Sequence, residues 1–211
     1  MPPKYRYYFF KNYRSRGELS RLLFVAAGVD YEDIRVERYE PESEWKDLKP
    51  TMPGGTLPVL EVDGQLFGES VVIARYLARE FGLDGKNNYD KLLTDTIVDR
   101  IIQIRELFIR LMLEKDVEIR AVTEKKFLEE QLPAALNLIE KHAQENKCTG
   151  DFLVGDKLSW ADLAVFDMMD HIVAVKPNAL GNHPKIAAIF KLVPSLPGLS
   201  EYLKNRPMTS A

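Results

Sequence analysis

The amino-acid sequence predicts an α/β domain followed by a domain that consists only of helices. Two observations lead to this prediction. Up to about residue 83, strand-like and helix-like patterns follow one another in the order β-α-β-α-β-β-α. From Tyr89 onward, apolar residues recur only at helical spacing. We therefore expect one domain over residues 1–83 and a second over residues 84–211.

The first part of the chain begins with an aromatic strand, expected over Tyr5–Phe10. A helix is predicted over residues 17–27, and Gly28 suits its end. Residues 33–37 alternate between apolar and charged side chains, as a half-buried strand does. A short helix is expected around Trp45.

Residues 56–77 predict two short strands, a turn and a helix. Asp63-Gly64 suits a hairpin turn, because glycine accepts the positive φ that a tight turn needs. Pro58 directly precedes the first of these strands, where a cis peptide bond makes a tight bend. Glu69 and Ser70 open the helix, where free N–H groups and the helix dipole favour a bound carboxylate. This stretch is therefore expected to bind an anion.

The second part of the chain predicts helices only. Ser159 and Asp162 have the spacing of a capping box, with Asp in place of the usual Glu, so Asp162 is expected to be structural. The predicted helices span residues 89–115, 118–144, 160–175, 184–193 and 196–204.

Composition limits the function classes. The 211 residues carry a net charge of −3 with mixed signs, so no nucleic-acid partner or membrane surface is expected. No apolar run approaches the roughly 20 residues that span a bilayer. The only cysteine, Cys148, excludes an internal disulfide and fits a reducing compartment, so a cytoplasmic protein is expected. The histidines are not clustered, and no metal site is expected.

Several motifs occur together in one order and spacing. Leu57-Pro58, Glu69-Ser70 and the sequence Ile-Ala-Arg-Tyr-Leu at 73–77 resemble the glutathione-binding core of the cytosolic glutathione transferases. The wider resemblance, supported by Ser-Trp-Ala-Asp at 159–162 and Lys-Asn-Arg-Pro at 204–207, is to the sigma class. That class includes prostaglandin D synthases and cephalopod S-crystallins. The resemblance covers nearly the whole chain.

The resemblance implies a fold and an activity. The fold is a thioredoxin-like first domain followed by an all-α domain, in a homodimer. The activity is a detoxifying transfer, in which the thiolate of the cosubstrate glutathione attacks a small hydrophobic electrophile, without a metal. The alternatives are a non-enzymatic crystallin-like or ligand-binding relative, and a glutathione-dependent prostaglandin isomerase.

The resemblance also implies the glutathione contacts. Leu57 would pair the extended peptide through its backbone. Glu69 and Ser70 would hold the γ-glutamyl end, and Trp45 and Lys49 would flank the glycyl end. The full set of implied glutathione contacts is Arg16, Trp45, Lys49, Thr56, Leu57, Pro58, Glu69, Ser70 and Gln103.

The catalytic tyrosine is open to more than one assignment. Sigma-class proteins place a tyrosine at the end of the first strand, and its hydroxyl donates to the thiolate. Matching the local Tyr-Phe pair selects Tyr8 as the catalytic residue. Counting forward from Lys4-Tyr5 selects Phe9, and counting backward from Gly17-Glu18 selects Phe10. With Phe at this position, the protein would still bind glutathione but would activate its thiol poorly.

Two further positions matter to this site. Arg16 lies where family members carry an arginine near the thiol, and Arg16 or Tyr13 could replace a missing strand hydroxyl. Gln103 stands where an acidic residue of the partner subunit is expected to reach glutathione. Ile102 replaces an aspartate of the metal-binding prostaglandin synthases, so a divalent metal is not expected.

Overall fold

The computed structural model describes residues 3–39, 41, 43–145, 151–207 and 209. The only cysteine, Cys148, lies outside these ranges. The chain folds into two compact units, one formed by Met1–Leu83 with Pro194–Ala211 and the other by Asp84–Val193. In the described ranges, no helix is both long enough and apolar enough to cross a bilayer.

The predicted second domain of 84–211 differs from these units at its end. The second unit stops at Val193, because the last helix packs on the first helix of the chain. Tyr202 and Arg206 of this last segment also hydrogen-bond to Glu18, at 3.2 Å and 3.1 Å. The last segment therefore belongs with the first unit.

The first unit contains one four-stranded sheet. Its strands are β1 (Tyr5–Phe10), β2 (Glu32–Val36), β3 (Val59–Val62) and β4 (Gln65–Phe67). Their order is β2-β1-β3-β4, with β1 parallel to β2 and antiparallel to β3, and β3 antiparallel to β4. This mixed sheet is the thioredoxin-like arrangement that the sequence predicts.

Helices complete both units. The first unit has α1 (Glu18–Ala27), α2 (Trp45–Leu48), α3 (Ser70–Glu80) and α9 (Leu199–Asn205). The second unit has α4 (Asn88–Leu113), α5 (Val117–Lys126), α6 (Leu132–Glu145), α7 (Trp160–Val175) and α8 (Pro184–Leu192). Among the described residues, the regular structure of the second unit is entirely helical.

The helix predicted over 118–144 is helical throughout in the structure, but it contains a π-helical turn. Phe127–Gln131 form a π-helical turn between α5 and α6. Pro133 has no N–H to donate to the carbonyl four residues earlier, which weakens a regular α-helix here. Lys176 Nζ also donates to the Leu128 carbonyl at 2.9 Å and so satisfies a carbonyl of this turn. The sequence pattern stays helical across the π-helical turn because the turn keeps an apolar residue, Phe127, buried.

The predicted capping box at the start of α7 is confirmed. The Ser159 backbone N–H donates to Asp162 Oδ2 at 2.8 Å, and Ser159 Oγ donates to the same oxygen at 2.7 Å. Leu153 N–H donates to Asp162 Oδ1 at 2.8 Å. Burial nevertheless outweighs these bonds and raises the pKa of Asp162 to about 6.

Candidate glutathione site

The side chains of β1 alternate across the sheet, as strand geometry requires. Phe9 faces the start of α1, where a Cβ added at Gly17 would lie 2.4 Å from Phe9 Cδ1. Tyr8 and Phe10 face the opposite side, where the Phe10 and Trp45 ring centres are 5.3 Å apart. The side chains of Tyr8 and Phe9 therefore lie on opposite sides of the sheet.

The Tyr8 hydroxyl is engaged within the protein. It donates to Glu61 Oε2 at 2.7 Å, and Arg6 Nη1 donates to the same oxygen at 3.1 Å. Burial raises the pKa of Tyr8 to about 12, with the Glu61 bond adding to the rise and the Arg6 charge opposing it. The hydroxyl predicted to stabilise the thiolate thus has its proton bonded to a carboxylate.

The cis-proline turn and the start of α3 lie at one edge of the sheet. The Leu57–Pro58 peptide bond is cis, as expected, and Pro58 is buried directly before β3. Leu60 of β3 pairs with Phe67 of β4. The chain leaves β4 at Phe67 antiparallel to β3, so it continues into α3 in the direction of Pro58, the residue before β3.

Glu69 and Ser70 form an unusual helix start. Glu69 has φ 70° and ψ 102°, a backbone conformation that is costly for a residue other than glycine. Its exposed side chain does not cap the helix, and Ser70 is the first helical residue rather than the cap. The first N–H groups of α3 are left for solvent or a ligand, which is the arrangement that binds a carboxylate.

The remaining predicted contacts of the first unit lie on loops and short helices. Trp45 begins α2, is half-buried and packs against the cluster that contains Tyr8. Lys49 is exposed, and its side chain lies next to Gly55, where an added Cβ would be 3.6 Å from Lys49 Cε. Thr56 is exposed and extended, with φ −135° and ψ 161°. Arg16 is exposed in the turn that precedes α1.

Gln103 belongs to the second unit, unlike the other predicted contacts. It lies exposed on α4, where Arg100 Nη1 donates to its Oε1 at 2.9 Å. Within the described ranges, no group of three or more His, Cys, Asp or Glu side chains is placed to hold a metal ion.

The sequence did not indicate a cluster at the end of β1. This cluster, called the Arg38 cluster below, consists of Phe10, Tyr13, Arg38 and Tyr39. The Tyr13 and Tyr39 hydroxyl oxygens are 2.8 Å apart, and Arg38 Cζ lies 4.9 Å from the centre of the Phe10 ring. Glu61 was also missed as the partner of Tyr8. Cross-strand contacts of this kind follow from register, and no local pattern reveals them.

Comparisons with known proteins show the family of the chain. The chain matches the glutathione S-transferase N-terminal domain over residues 5–79 and the glutathione S-transferase C-terminal domain over residues 102–206. S-crystallin SL11 of Nototodarus sloanii is 34% identical over 209 residues, with 99% of both chains covered. Hematopoietic prostaglandin D synthase of Gallus gallus is 34% identical over 208 residues, again with 99% of both covered. A glutathione S-transferase of Anopheles gambiae is 34% identical over 211 residues, with 98% of both covered.

Solved structures show the same fold. The prostaglandin synthase D of Nilaparvata lugens has a TM-score of 0.84 at 31% identity and covers 97% of this chain and 99% of its own. The monomeric Na-GST-3 of the hookworm Necator americanus has a TM-score of 0.84 at 33% identity, with 99% and 100% covered. The chain belongs to the glutathione transferase family, and relatives such as S-crystallin and prostaglandin D synthase identify the sigma class.

Proposed function

We propose that the first unit binds glutathione between the cis-Pro58 turn and the start of α3, and that the protein transfers it to small hydrophobic electrophiles. The observation that carries this proposal is the start of α3, which lacks a side-chain cap and holds Glu69 in a strained conformation two residues after β4. Its N–H groups and dipole suit the γ-glutamyl carboxylate. The Glu69 carboxylate suits the cationic amino group.

Each remaining residue of the site has a distinct role in this proposal. The Leu57 backbone pairs with the extended peptide of glutathione, with Thr56 beside it. Trp45 and Lys49 receive the glycyl end, where the Lys49 ammonium offsets the carboxylate charge. Arg16 lies near the thiol. Binding holds the thiol and the electrophile together, and this proximity lowers the barrier to conjugation.

The Tyr8–Glu61 bond bears on thiol activation. A free thiol with a pKa near 8.5 is mostly protonated at neutral pH, so an enzyme must stabilise the thiolate. Because the Tyr8 proton is bonded to Glu61, we propose that Tyr8 supports strand packing instead of the thiolate. A protein that binds glutathione without turnover would instead be a crystallin-like relative. Net consumption of glutathione separates conjugation from prostaglandin isomerisation.

The test of the proposed site uses two serine variants. Ser70→Ala removes a hydroxyl from the start of α3, and Ser200→Ala removes one from an exposed position near the start of α9. We expect Ser70→Ala to weaken glutathione binding by about tenfold or more, since a bond to a charged group contributes roughly 1.5–3 kcal/mol. Calorimetric titration measures the affinity. Equal affinity in both variants would place the γ-glutamyl end elsewhere.

We also propose a homodimer in the cytoplasm. Phe67 and Val72 of the first unit are 49% and 58% exposed, and Leu92 of the second unit is 61% exposed. Such side chains suit an interface. In the dimer, Gln103 would reach the amino group of the partner's glutathione. Light scattering after gel filtration of the unmodified protein and of Val72→Glu tests this proposal, since a monomeric relative is known.

A further inference from the structure

The Arg38 cluster gathers two hydroxyls and one guanidinium around the last residue of β1. The hydroxyl oxygens of Tyr13 and Tyr39 are 2.8 Å apart, and either can be the donor. Arg38 Cζ lies 5.8 Å and 5.5 Å from the centres of these two rings. Because the pair shares one hydrogen bond, one hydroxyl proton is used inside the pair and the other remains for a ligand.

The Arg38 cluster lies beside the candidate glutathione site. Phe10 ends β1, and its ring packs on Trp45 at 5.3 Å on one side and on Tyr13 at 6.3 Å on the other. The Lys11 N–H donates to the Val36 carbonyl at 3.0 Å, so the loops that follow β1 and β2 start side by side. The end of β1 is also where the resemblance places the group that stabilises the thiolate.

The tyrosine hydroxyls of β1 at positions 7 and 8 already donate to other groups. The Tyr7 hydroxyl donates to the Gly17 carbonyl at 3.2 Å, and the Tyr8 hydroxyl donates to Glu61. Phe9 and Phe10 carry no hydroxyl. The hydroxyl pair of the Arg38 cluster is a source of a donated proton close to the end of β1, since Tyr13 packs on Phe10.

Charged groups of both signs surround the pair, and Arg38 is the one that lies against both rings. The bond with Tyr39 raises the pKa of Tyr13, and the Arg38 charge acts in the opposite direction. The Glu37 carboxylate accepts from the Arg38 and Tyr39 N–H groups at 2.9 Å and 3.3 Å, and its Oε2 lies 3.9 Å from Lys11 Nζ. Glu44 Oε2 accepts from the Glu37 N–H at 2.9 Å. A hydroxyl that accepts one hydrogen bond and lies near a guanidinium is well placed to donate to a thiolate.

We propose that the Tyr13–Tyr39 pair donates the hydrogen bond that stabilises the glutathione thiolate, with Arg38 adding positive charge. This inference rests on the proposed function, because it assumes that glutathione binds with its thiol at the end of β1. The thiol proton leaves to solvent, and the donating hydroxyl keeps its own proton. In family members, a tyrosine of the first strand donates the hydrogen bond to the thiolate. Here Tyr13 and Tyr39, which lie on two loops, donate it instead.

The experiment measures the thiol pKa of bound glutathione from the ultraviolet absorbance of the thiolate. The variants are Tyr13→Phe, Tyr39→Phe and the double variant, and Tyr89→Phe is the matched control, since Tyr89 is 64% exposed in the second unit. We expect the double variant to raise the thiol pKa by about one to two units. Each single variant should raise it less, because the remaining hydroxyl can take over. Tyr89→Phe should leave it unchanged.

S-methylglutathione, which has no thiol, separates a direct contact from a structural one. If the pair touches the thiolate, the double variant binds S-methylglutathione as well as the unmodified protein does. An unchanged thiol pKa in the double variant would overturn the inference, as would parallel losses of affinity for both ligands. If the unmodified protein binds neither ligand, the proposed function fails and this inference fails with it. Tight binding with an ordinary thiol pKa near 8.5 overturns only the inference.

Discussion

The partner of Tyr8 decides how this residue is interpreted. Its hydroxyl donates to Glu61, which is only partly exposed and also accepts from Arg6. We expect Tyr8→Phe to lower the free energy of unfolding by about 1.5–3 kcal/mol, as the loss of a hydrogen bond to a charged group does. Its conjugation rate should stay within about threefold of the unmodified rate, well under the loss expected for a bond to a charged acceptor. Urea denaturation and a chloronitrobenzene assay check both values, and a collapsed rate would restore Tyr8 as the thiolate donor.

The two phenylalanines at the end of β1 allow the opposite experiment. Phe9 faces the start of α1 next to Gly17, and Phe10 packs on Trp45 across the sheet. Phe10 shares its face with Trp45 and packs on Tyr13 of the Arg38 cluster, so we expect Phe10→Tyr to supply a hydroxyl near the thiol and to lower the thiol pKa of bound glutathione by about one unit. Phe9→Tyr, on the opposite face, is the matched control and should have little effect. Equal effects from both variants would show that the face of the strand does not matter.

At the scale of single residues, the sequence indicated the possible positions of the catalytic tyrosine but not the contacts that these residues make. It indicated Tyr8, Phe9 and Phe10 as the alternatives, and strand alternation separated their faces. It did not indicate Glu61, because the pairing of Tyr8 with this carboxylate depends on the register of two strands far apart in sequence. The structure supplied that register.

Among the elements, the start of α7 gives a pH prediction. The pKa of Asp162 is about 6 in the folded protein, above the 3.8 of an ordinary Asp, so the folded state holds this proton more tightly. The stability from this group is therefore present below about pH 4 and is lost as the pH rises through about 6. The loss amounts to about 3 kcal/mol at about 1.36 kcal/mol per unit.

The measurement compares the unmodified protein with Asp162→Asn in urea at pH values between about 4 and 7. The difference between their free energies of unfolding should decrease as the pH rises, because other titrating groups cancel in the comparison. A difference that stays constant would mean that the three hydrogen bonds to Asp162 offset its burial.

Local signals predicted most elements and missed the π-helical turn between α5 and α6. The capping box and the Asp63-Gly64 turn follow from short sequences, and both are present. The π-helical turn at Phe127–Gln131 was missed because its apolar spacing still resembles a helix. A proline near the start of α6 was the available signal.

For the whole molecule, the network around Glu18 connects the start of α1 with α9 and the residue that follows it. Glu18 is 1% exposed and accepts from Tyr202 and Arg206, and Arg21 Nη1 lies 3.8 Å from its Oε2. We expect Arg206→Ala to lower the free energy of unfolding by about 2–4 kcal/mol, because it leaves a buried carboxylate with one cation fewer. Calorimetry or urea denaturation measures the change.

Two further variants serve as controls for this network. Lys204→Ala removes an exposed cation from the same helix and should change stability by less than about 0.5 kcal/mol. Glu18→Gln combined with Arg206→Ala should cost less than the sum of the single changes, since the two groups interact. Additive losses would show that Arg206 acts independently of Glu18.

The large-scale organisation could be predicted only in part. Alternating patterns and the family motifs indicated two units with a boundary near residue 83 and a glutathione site in the first. They could not show that the last helix belongs with the first unit, because that depends on packing between α1 and α9. Gln103 also lies in the second unit, so its proposed role depends on assembly.

The Glu18 network has a consequence for how the protein is made. A ribosome releases residues 1–83 long before it reaches Tyr202 and Arg206, so in the emerging first unit Glu18 lacks these two donors. Burying Glu18 at that stage would leave out two of the hydrogen bonds that it accepts in the folded unit. The first unit is therefore completed by residues synthesised long after its sheet, and it reaches its final stability only after they have emerged.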